Sequence, residues 1–388
     1  RVGLNSRGGF GRLAAYWMSI SFGRMLGPRD FEFVLACGLV SAVVGLDFPR
    51  HHSLARVELH VHLDGAVGVE ELYNISVKRR LQLPGGVKSA AELQAYIIRI
   101  SPAWHRFDVV NDIIGGDEAV IRDVAEGFVG RQARAGIVYT EVRYDPERLS
   151  RSGLANVSIS RQAAVRAVRD GLRVGAEKHG VVAYQILCAM RGKSAEQCMA
   201  TATLAAQMRS TSMGGVVGLD LAGDEVTYRN APYVGCLRYA KRDLRLNITV
   251  HSGEFTETPA DEVRSAVVDM GADRVGHGYA AVRNAATLSL VKERLIHVEA
   301  CPRSAQLHGD LDALDEYRRA QLNFGLNTDD PSVFFGNGTI ALDEAIVQDV
   351  LHYSVDEVRN AYANALSAAF GPTSAIPGLL RGSAPIVV

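Results

Sequence analysis

Two histidines one residue apart, with a carboxylate two places further on, stand in VELHVHLDGA at 57–66. In an extended strand successive side chains alternate faces, so His60 and His62 share one face while Val57, Leu59 and Val61 take the other. Neutral imidazole is a common ligand for zinc and its neighbours, and a strand holds two ring nitrogens at a fixed separation. An isolated H-x-H also occurs as a solvent-facing or hydrogen-bonded pair, so the pattern needs company. Company comes downstream in LDLAGDE (219–225), HSGE (251–254), VGHGYA (275–280) and NTDDPS (327–332). His251 and Asp329 would give a divalent ion a third nitrogen and a carboxylate oxygen, leaving a place for water. Such an ion can bring the pKa of bound water to about 7. Glu254 is then placed to act as a general acid, and His277 as a base or electrostatic partner of the water. Asp330 cannot point the same way as Asp329 in an extended segment, which frees it to face a substrate or the hydroxide. Singly, each residue has a structural alternative: Glu254 as a helix cap, either aspartate as an N-cap or Asx-turn before Pro331, His277 as a satisfied core histidine. Jointly they resist that explanation, because His, Asp and Glu are rarely buried without a partner or a metal.

Elements that bring these residues together are legible from residue 54 onward. Apolar β-rich runs at 57–62, 137–143, 181–187, 216–221, 247–251, 274–276, 296–300 and 323–327 alternate with segments of three- and four-residue apolar spacing that end on glycine. Strands alternating with helices imply a parallel sheet. Eight such units predict an α/β fold, a TIM (β/α)8 barrel, in which every polar motif above falls at the C-terminal end of a strand, where barrels build their active sites. The connection 67–136 is longer than a crossover requires and predicts extra helices over the C-terminal mouth, an apolar lid. The chain divides into a leader of unknown structure, 1–53, disordered, non-native or signal-like, and one domain over 54–388.

Composition narrows the partners. A formal net charge of -1 with 22% charged residues over 388 residues gives no basic excess for nucleic acid or an anionic membrane. A small, roughly neutral molecule fits better. Five scattered cysteines, odd in number and without C-x-x-C, argue against a disulfide framework or a cysteine zinc site and favour a reducing, cytoplasmic setting. Sequons at Asn74, Asn156, Asn247 and Asn337, and the apolar run at 33–46, support secretion as the alternative, although Asn247 falls in a strand. That run is too short to span a bilayer as a helix, for which about 20 residues are needed. A different chemistry leaves one trace: GHGYAA at 276–281 follows a strand, with Glu299 some twenty residues on, in the manner of a dinucleotide-binding turn. It leaves the histidines unexplained.

The ordered series VELHVHLDGA, EVRYDPERL, LDLAGDE, HSGE, VGHGY and LNTDDPSVF, with CAMRG and EACPRS between, resembles the motifs of the adenosine deaminases, nearest their compact animal type, over about residues 54–385. The resemblance implies one zinc per chain held by His60, His62, His251 and Asp329. It further implies hydrolytic deamination of adenosine and 2'-deoxyadenosine to the inosines with release of ammonia, in purine salvage and catabolism. Carried onto this sequence, Glu254 protonates purine N1, while His277 and Asp330 orient or deprotonate the attacking water. Asp330 also reaches N7, the backbone N–H of Gly223 contacts N3, Asp64 holds the ribose 5'-hydroxyl, and His62 lies against the substrate as well as the metal. A monomer acting on a purine nucleoside is expected. Ser252 stands where the family commonly has Ala, and Ala280 where His is frequent.

Overall fold

The computed structural model describes residues 55–336, 338–374 and 376. The leader and its apolar run lie outside these residues, as does the Asn337 sequon. Eight parallel strands follow one another around a single sheet: β1 (Arg56–His62), β2 (Ile137–Tyr144), β3 (Val182–Met190), β4 (Val216–Ala222), β5 (Asn247–Ser252), β6 (Arg274–His277), β7 (His297–Ala300) and β8 (Phe324–Leu326). All eight expected strands are present. Between β8 and β1 the barrel closes just beyond the short last strand, where His62 N–H donates to the Asp329 carbonyl at 2.9 Å and Asp329 N–H to the His60 carbonyl at 3.1 Å. The Asn327 side chain bridges the remaining gap, accepting from the Leu59 and His60 amides.

Helices alternate with the strands as the apolar spacing requires. The β1–β2 connection carries α1 (Val69–Lys78), α2 (Ala90–Arg99), α3 (Arg106–Ile114) and α4 (Glu118–Arg134). The next connections carry α5 (Arg161–His179), α6 (Ala195–Met208), α7 (Val234–Arg242), α8 (Ala260–Ser265) and α9 (Ala285–Glu293). α10 (Pro302–His308) and α11 (Asp312–Ala320) follow β7, and α12 (Ile340–Ala345) and α13 (Val355–Ser367) complete the order. Local chemistry sets several ends. Asp117 accepts from the amides of Ala119 and Val120 to start α4, and Ser194 with Gln197 forms a capping box on α6. Gly180, at φ 72°, stops α5 in a left-handed turn that suits a residue without Cβ.

The two faces of the strands do different jobs. Val57, Leu59 and Val61 face the helices and are fully buried. The barrel interior instead carries charge: Arg143 pairs with Glu299 at 2.8 Å and Asp220 at 3.1 Å, and Arg274 with Glu141 and Glu299, each at 2.7 Å. Ions this deeply buried are tolerated only as mutual partners. The column leads up to the ring of residues at the strand C-termini.

One expectation is overturned. Cys198 on α6 and Cys236 on α7 form a disulfide with Cα atoms 6.1 Å apart. Thirty-eight residues separate them in sequence, so spacing alone carried no sign of the pair. Adjacent barrel helices bring them together. Cys188 and Cys301 are free and buried.

Candidate active site

The end of β1 delivers His60 and His62 to the mouth, and the strand period puts both rings on the inner side as expected. His60 Nδ1 lies 2.7 Å from Glu299 Oε2. His251, at the end of β5, has its Nδ1 2.9 Å from Asp220 Oδ2. A carboxylate accepts only, so each Nδ1 carries the proton and each Nε2 presents a lone pair. Those lone pairs converge. His62 Nε2 and His251 Nε2 stand 3.1 Å apart, and Asp329 Oδ1 lies 3.3 Å from His60 Nε2 and 3.5 Å from His62 Nε2. His60 Nε2 is fully buried with no hydrogen-bond partner. Facing acceptor atoms and an orphaned buried nitrogen are what a cation would satisfy, so this donor set fits a divalent metal.

The clustering is wider than four residues. Ligand atoms of His60, His251, His277 and Asp329 lie within 4.8 Å of one another, as do those of His62, Asp329 and Asp330. Asp330 therefore does approach the same centre as Asp329. The extended geometry expected for 329–330 is absent: β8 ends at Leu326 and Asp329 adopts φ 62°. His277 is likewise left-handed at φ 63°. Such backbone is uncommon outside glycine and persists where surrounding contacts over-determine it. For His277 one such contact is the Tyr317 hydroxyl, which donates to its carbonyl at 2.9 Å.

Environment separates these groups chemically. Burial holds the His277 imidazole well below its ordinary pKa, hence neutral. Burial also raises the Glu254 carboxyl, which favours its protonated form. Asp330 is raised well above the carboxylate range by burial and then by the adjacent Asp329. Asp329 goes the other way: burial opposes its charge, but the hydrogen bond and charge of His60 help to hold its carboxyl well below the usual range. Glu254 Oε2 lies 3.8 Å from His277 Nε2.

Asp64 follows β1 directly, accepts from Asn111 Nδ2 on α3 at 2.7 Å, and is only 6% exposed. Gly223 follows β4 at φ 100°, which a side chain would disfavour. The long β1–β2 insertion does reach the mouth. Its Phe107 ring stands 6.5 Å from that of His62 and 5.9 Å from that of Phe334, and Trp104 meets Phe255 edge-on at 5.7 Å.

Sequence reasoning passed over the residues that hold the others. Glu225, at the end of LDLAGDE, accepts from the amides of Gly253, Glu254 and Phe255 and from the Thr258 hydroxyl, and so shapes the loop bearing Glu254. Asp220 and Glu299 fix the histidine tautomers, and Arg191 donates to the His251 carbonyl at 2.7 Å. Asp220 and Glu225 sat inside a motif already singled out; their strand-end positions were the available signal. Glu299 and Gly276 account for the dinucleotide-like pattern differently. A Cβ at Gly276 would come 2.8 Å from His60 Cε1, so that glycine makes room for the His60 ring, and Glu299 orients the same ring.

The adenosine deaminase family profile matches residues 55–381. The chain belongs to the adenosine deaminase family. It is 31% identical over 337 residues to the adenosine deaminase of Danio rerio, covering 82% of this chain and 91% of that protein. Among solved structures, an Arabidopsis N6-mAMP deaminase superposes with a TM-score of 0.71 at 25% identity, covering 85% of this chain and 98% of that one. An amidohydrolase from Burkholderia ambifaria with bound zinc superposes at 0.72 with 20% identity, over 85% and 91% of the two chains, a likeness of fold. The protein is thus a hydrolytic purine deaminase on a TIM barrel, with a buried His/Asp cluster suited to a metal. No helix among the described residues is long and apolar enough to cross a membrane.

Proposed function

We propose that this family member is a zinc enzyme that deaminates the nucleosides adenosine and 2'-deoxyadenosine, with His60, His62, His251 and Asp329 as the metal ligands. The observation that carries the metal assignment is the convergence of Nε2 lone pairs on a buried carboxylate, with His60 Nε2 otherwise orphaned. Zinc suits three imidazoles and one carboxylate with a position left open. When bound, such an ion supplies Lewis acidity that makes water acidic near neutral pH.

The chain's own residues do the remaining work. Purine C6 is a poor electrophile. Glu254, its carboxyl pKa raised by burial, donates to N1 and turns the ring into an electron sink. His277, neutral and beside Glu254 and Asp329, orients water and accepts a proton as the C6–O bond forms. Asp330, with Oδ1 buried and unpartnered, faces the purine near N7 and helps align the same water. Gly223 offers its backbone N–H to N3, and His62 lies between ligand set and substrate. The leaving nitrogen takes both water protons, one by way of His277 and one from the C6 hydroxyl, as the C6–N bond breaks and the 6-oxo group forms, and departs as ammonium. Asp64, oriented by Asn111, accepts from the ribose 5'-hydroxyl. A 5'-phosphate would bring like charge against that carboxylate, which favours nucleoside over nucleotide.

The test is turnover of purified protein on adenosine, 2'-deoxyadenosine and AMP, followed by absorbance, with metal quantified before and after a strong chelator. About one zinc per chain, chelator-sensitive turnover of both nucleosides and poor use of AMP are expected. AMP preferred over adenosine would refute the nucleoside assignment, and full activity in metal-free protein would refute the ligand set.

A further inference from the structure

Glu254 has two faces. Its Oε2 looks inward to His277, 3.8 Å from Nε2, while its Oε1 lies 3.5 Å from Nε2 of His308, the last residue of α10. The His308 side chain is 24% exposed against 10% for Glu254, so the outer imidazole meets solvent where the carboxyl barely does. Phe255 packs edge-on against His308 with centroids 4.5 Å apart, fixing the ring beside its partner. We infer that His308 is the proton-delivery residue for Glu254, passing a solvent proton to the outer oxygen once the inner one has given its proton to N1.

Departure of the leaving nitrogen as ammonium calls for such a route. Nucleoside, water and one solvent proton give the 6-oxo product and ammonium: both water protons end on the leaving nitrogen, the Glu254 proton ends on N1, and one solvent proton must replace it. His277 is fully buried and offers no path outward. The charged groups around His308 suit the task. Glu254 faces it from the loop after β5, Asp310 follows on its own segment and is paired with Arg283 from the turn after β6, and Asp329 acts from beyond β8. Burial works against a charge on His308, but Glu254 and these carboxylates raise its pKa overall, which favours its protonated form. A separation of 3.5 Å is long for a hydrogen bond, and catalytic bonds of this kind commonly shorten when substrate binds.

The inference rests on Glu254 as the acid, and its test keeps the two ideas apart. In full-length protein, His308→Gln and His308→Ala are expected to lower kcat about 10-fold at neutral pH with KM little changed, less than loss of a primary acid because water still reaches the outer oxygen. Added imidazole should restore kcat of His308→Ala in a saturable manner and leave the unaltered protein alone. A kcat unchanged within two-fold, or a loss that imidazole does not repair, overturns the relay. Independently of turnover, the His308 ring titration by NMR should shift to lower pH in Glu254→Gln. If the unaltered protein fails to turn over adenosine, the substrate reading is at fault, and this titration decides the pairing: a shift supports it and an unmoved pKa overturns it.

Discussion

In the proposed reaction Glu254 is the residue on which the chemistry most depends, because a purine ring accepts a nucleophile at C6 only when N1 takes a proton. Its substitution to Gln keeps the size and hydrogen-bonding reach but has no proton to give. We expect kcat to fall about 10²- to 10⁴-fold, the range that a positioned acid contributes, with zinc content unchanged. The pH dependence follows from the direction of the shift. Burial raises the carboxyl pKa, so the active, protonated form is complete at low pH and is lost as pH rises through that raised value. The alkaline limb of kcat against pH should therefore disappear in Glu254→Gln; a profile identical in shape to that of the unaltered protein would assign the limb to another group. The position of Glu254 was legible from HSGE alone, since a carboxylate three residues past His251 remains at the strand end, beside His277. Its holders, Glu225 and His308, were not, because one comes from the previous strand and the other from a helix after β7.

Among the elements, the turns after the strands set the geometry, and glycine marks where they touch. Gly65, just past β1, has no room for a side chain: an added Cβ would lie 1.8 Å from Asp330 Oδ1 and 3.0 Å from Asp330 Cα. The turns after β1 and β8 are thus in direct contact, joined by the Ser332 N–H to Gly65 carbonyl bond at 2.8 Å. Gly65→Ala must push Asp330 from its place. We expect kcat to drop about 10²-fold, the scale of an ångström's misplacement, while far-ultraviolet circular dichroism stays that of the unaltered protein. Unaltered kinetics would show that Asp330 has no fixed place in the reaction. Here the sequence misled in an instructive way. Alternation in an extended segment separates Asp329 from Asp330, but a left-handed Asp329 cancels the alternation and turns both toward the centre.

Across the whole molecule, the barrel is held by apolar packing outside and an ionic column within, and one covalent tie joins two of its helices. The Cys198–Cys236 disulfide closes a loop of 38 residues, worth up to about 4 kcal/mol by restriction of the unfolded chain. Reductant should lower the melting temperature of the unaltered protein and leave Cys198→Ser where it already stands. Equal melting temperatures for all of these would show that the bridge adds nothing. The bond also removes the argument from cysteine usage for a reducing compartment, since scattered cysteines need only meet in space.

Residue type and strand period by themselves determined a great deal: eight alternating units, the inward face of His60 and His62, and the placing of every polar motif at a strand end. These are local properties, in which each residue answers to its neighbours two, three or four places away. Other features were decided only when the chain closed on itself. The tautomers of His60 and His251 depend on Glu299 and Asp220, 239 and 31 residues distant. The joining of Cys198 to Cys236, the inward turn of Asp330 and the meeting of Glu254 with His308 depend likewise on segments that only the barrel makes adjacent. Closing a parallel barrel puts eight strand ends around one axis, so contacts across that ring have no periodic trace in the sequence.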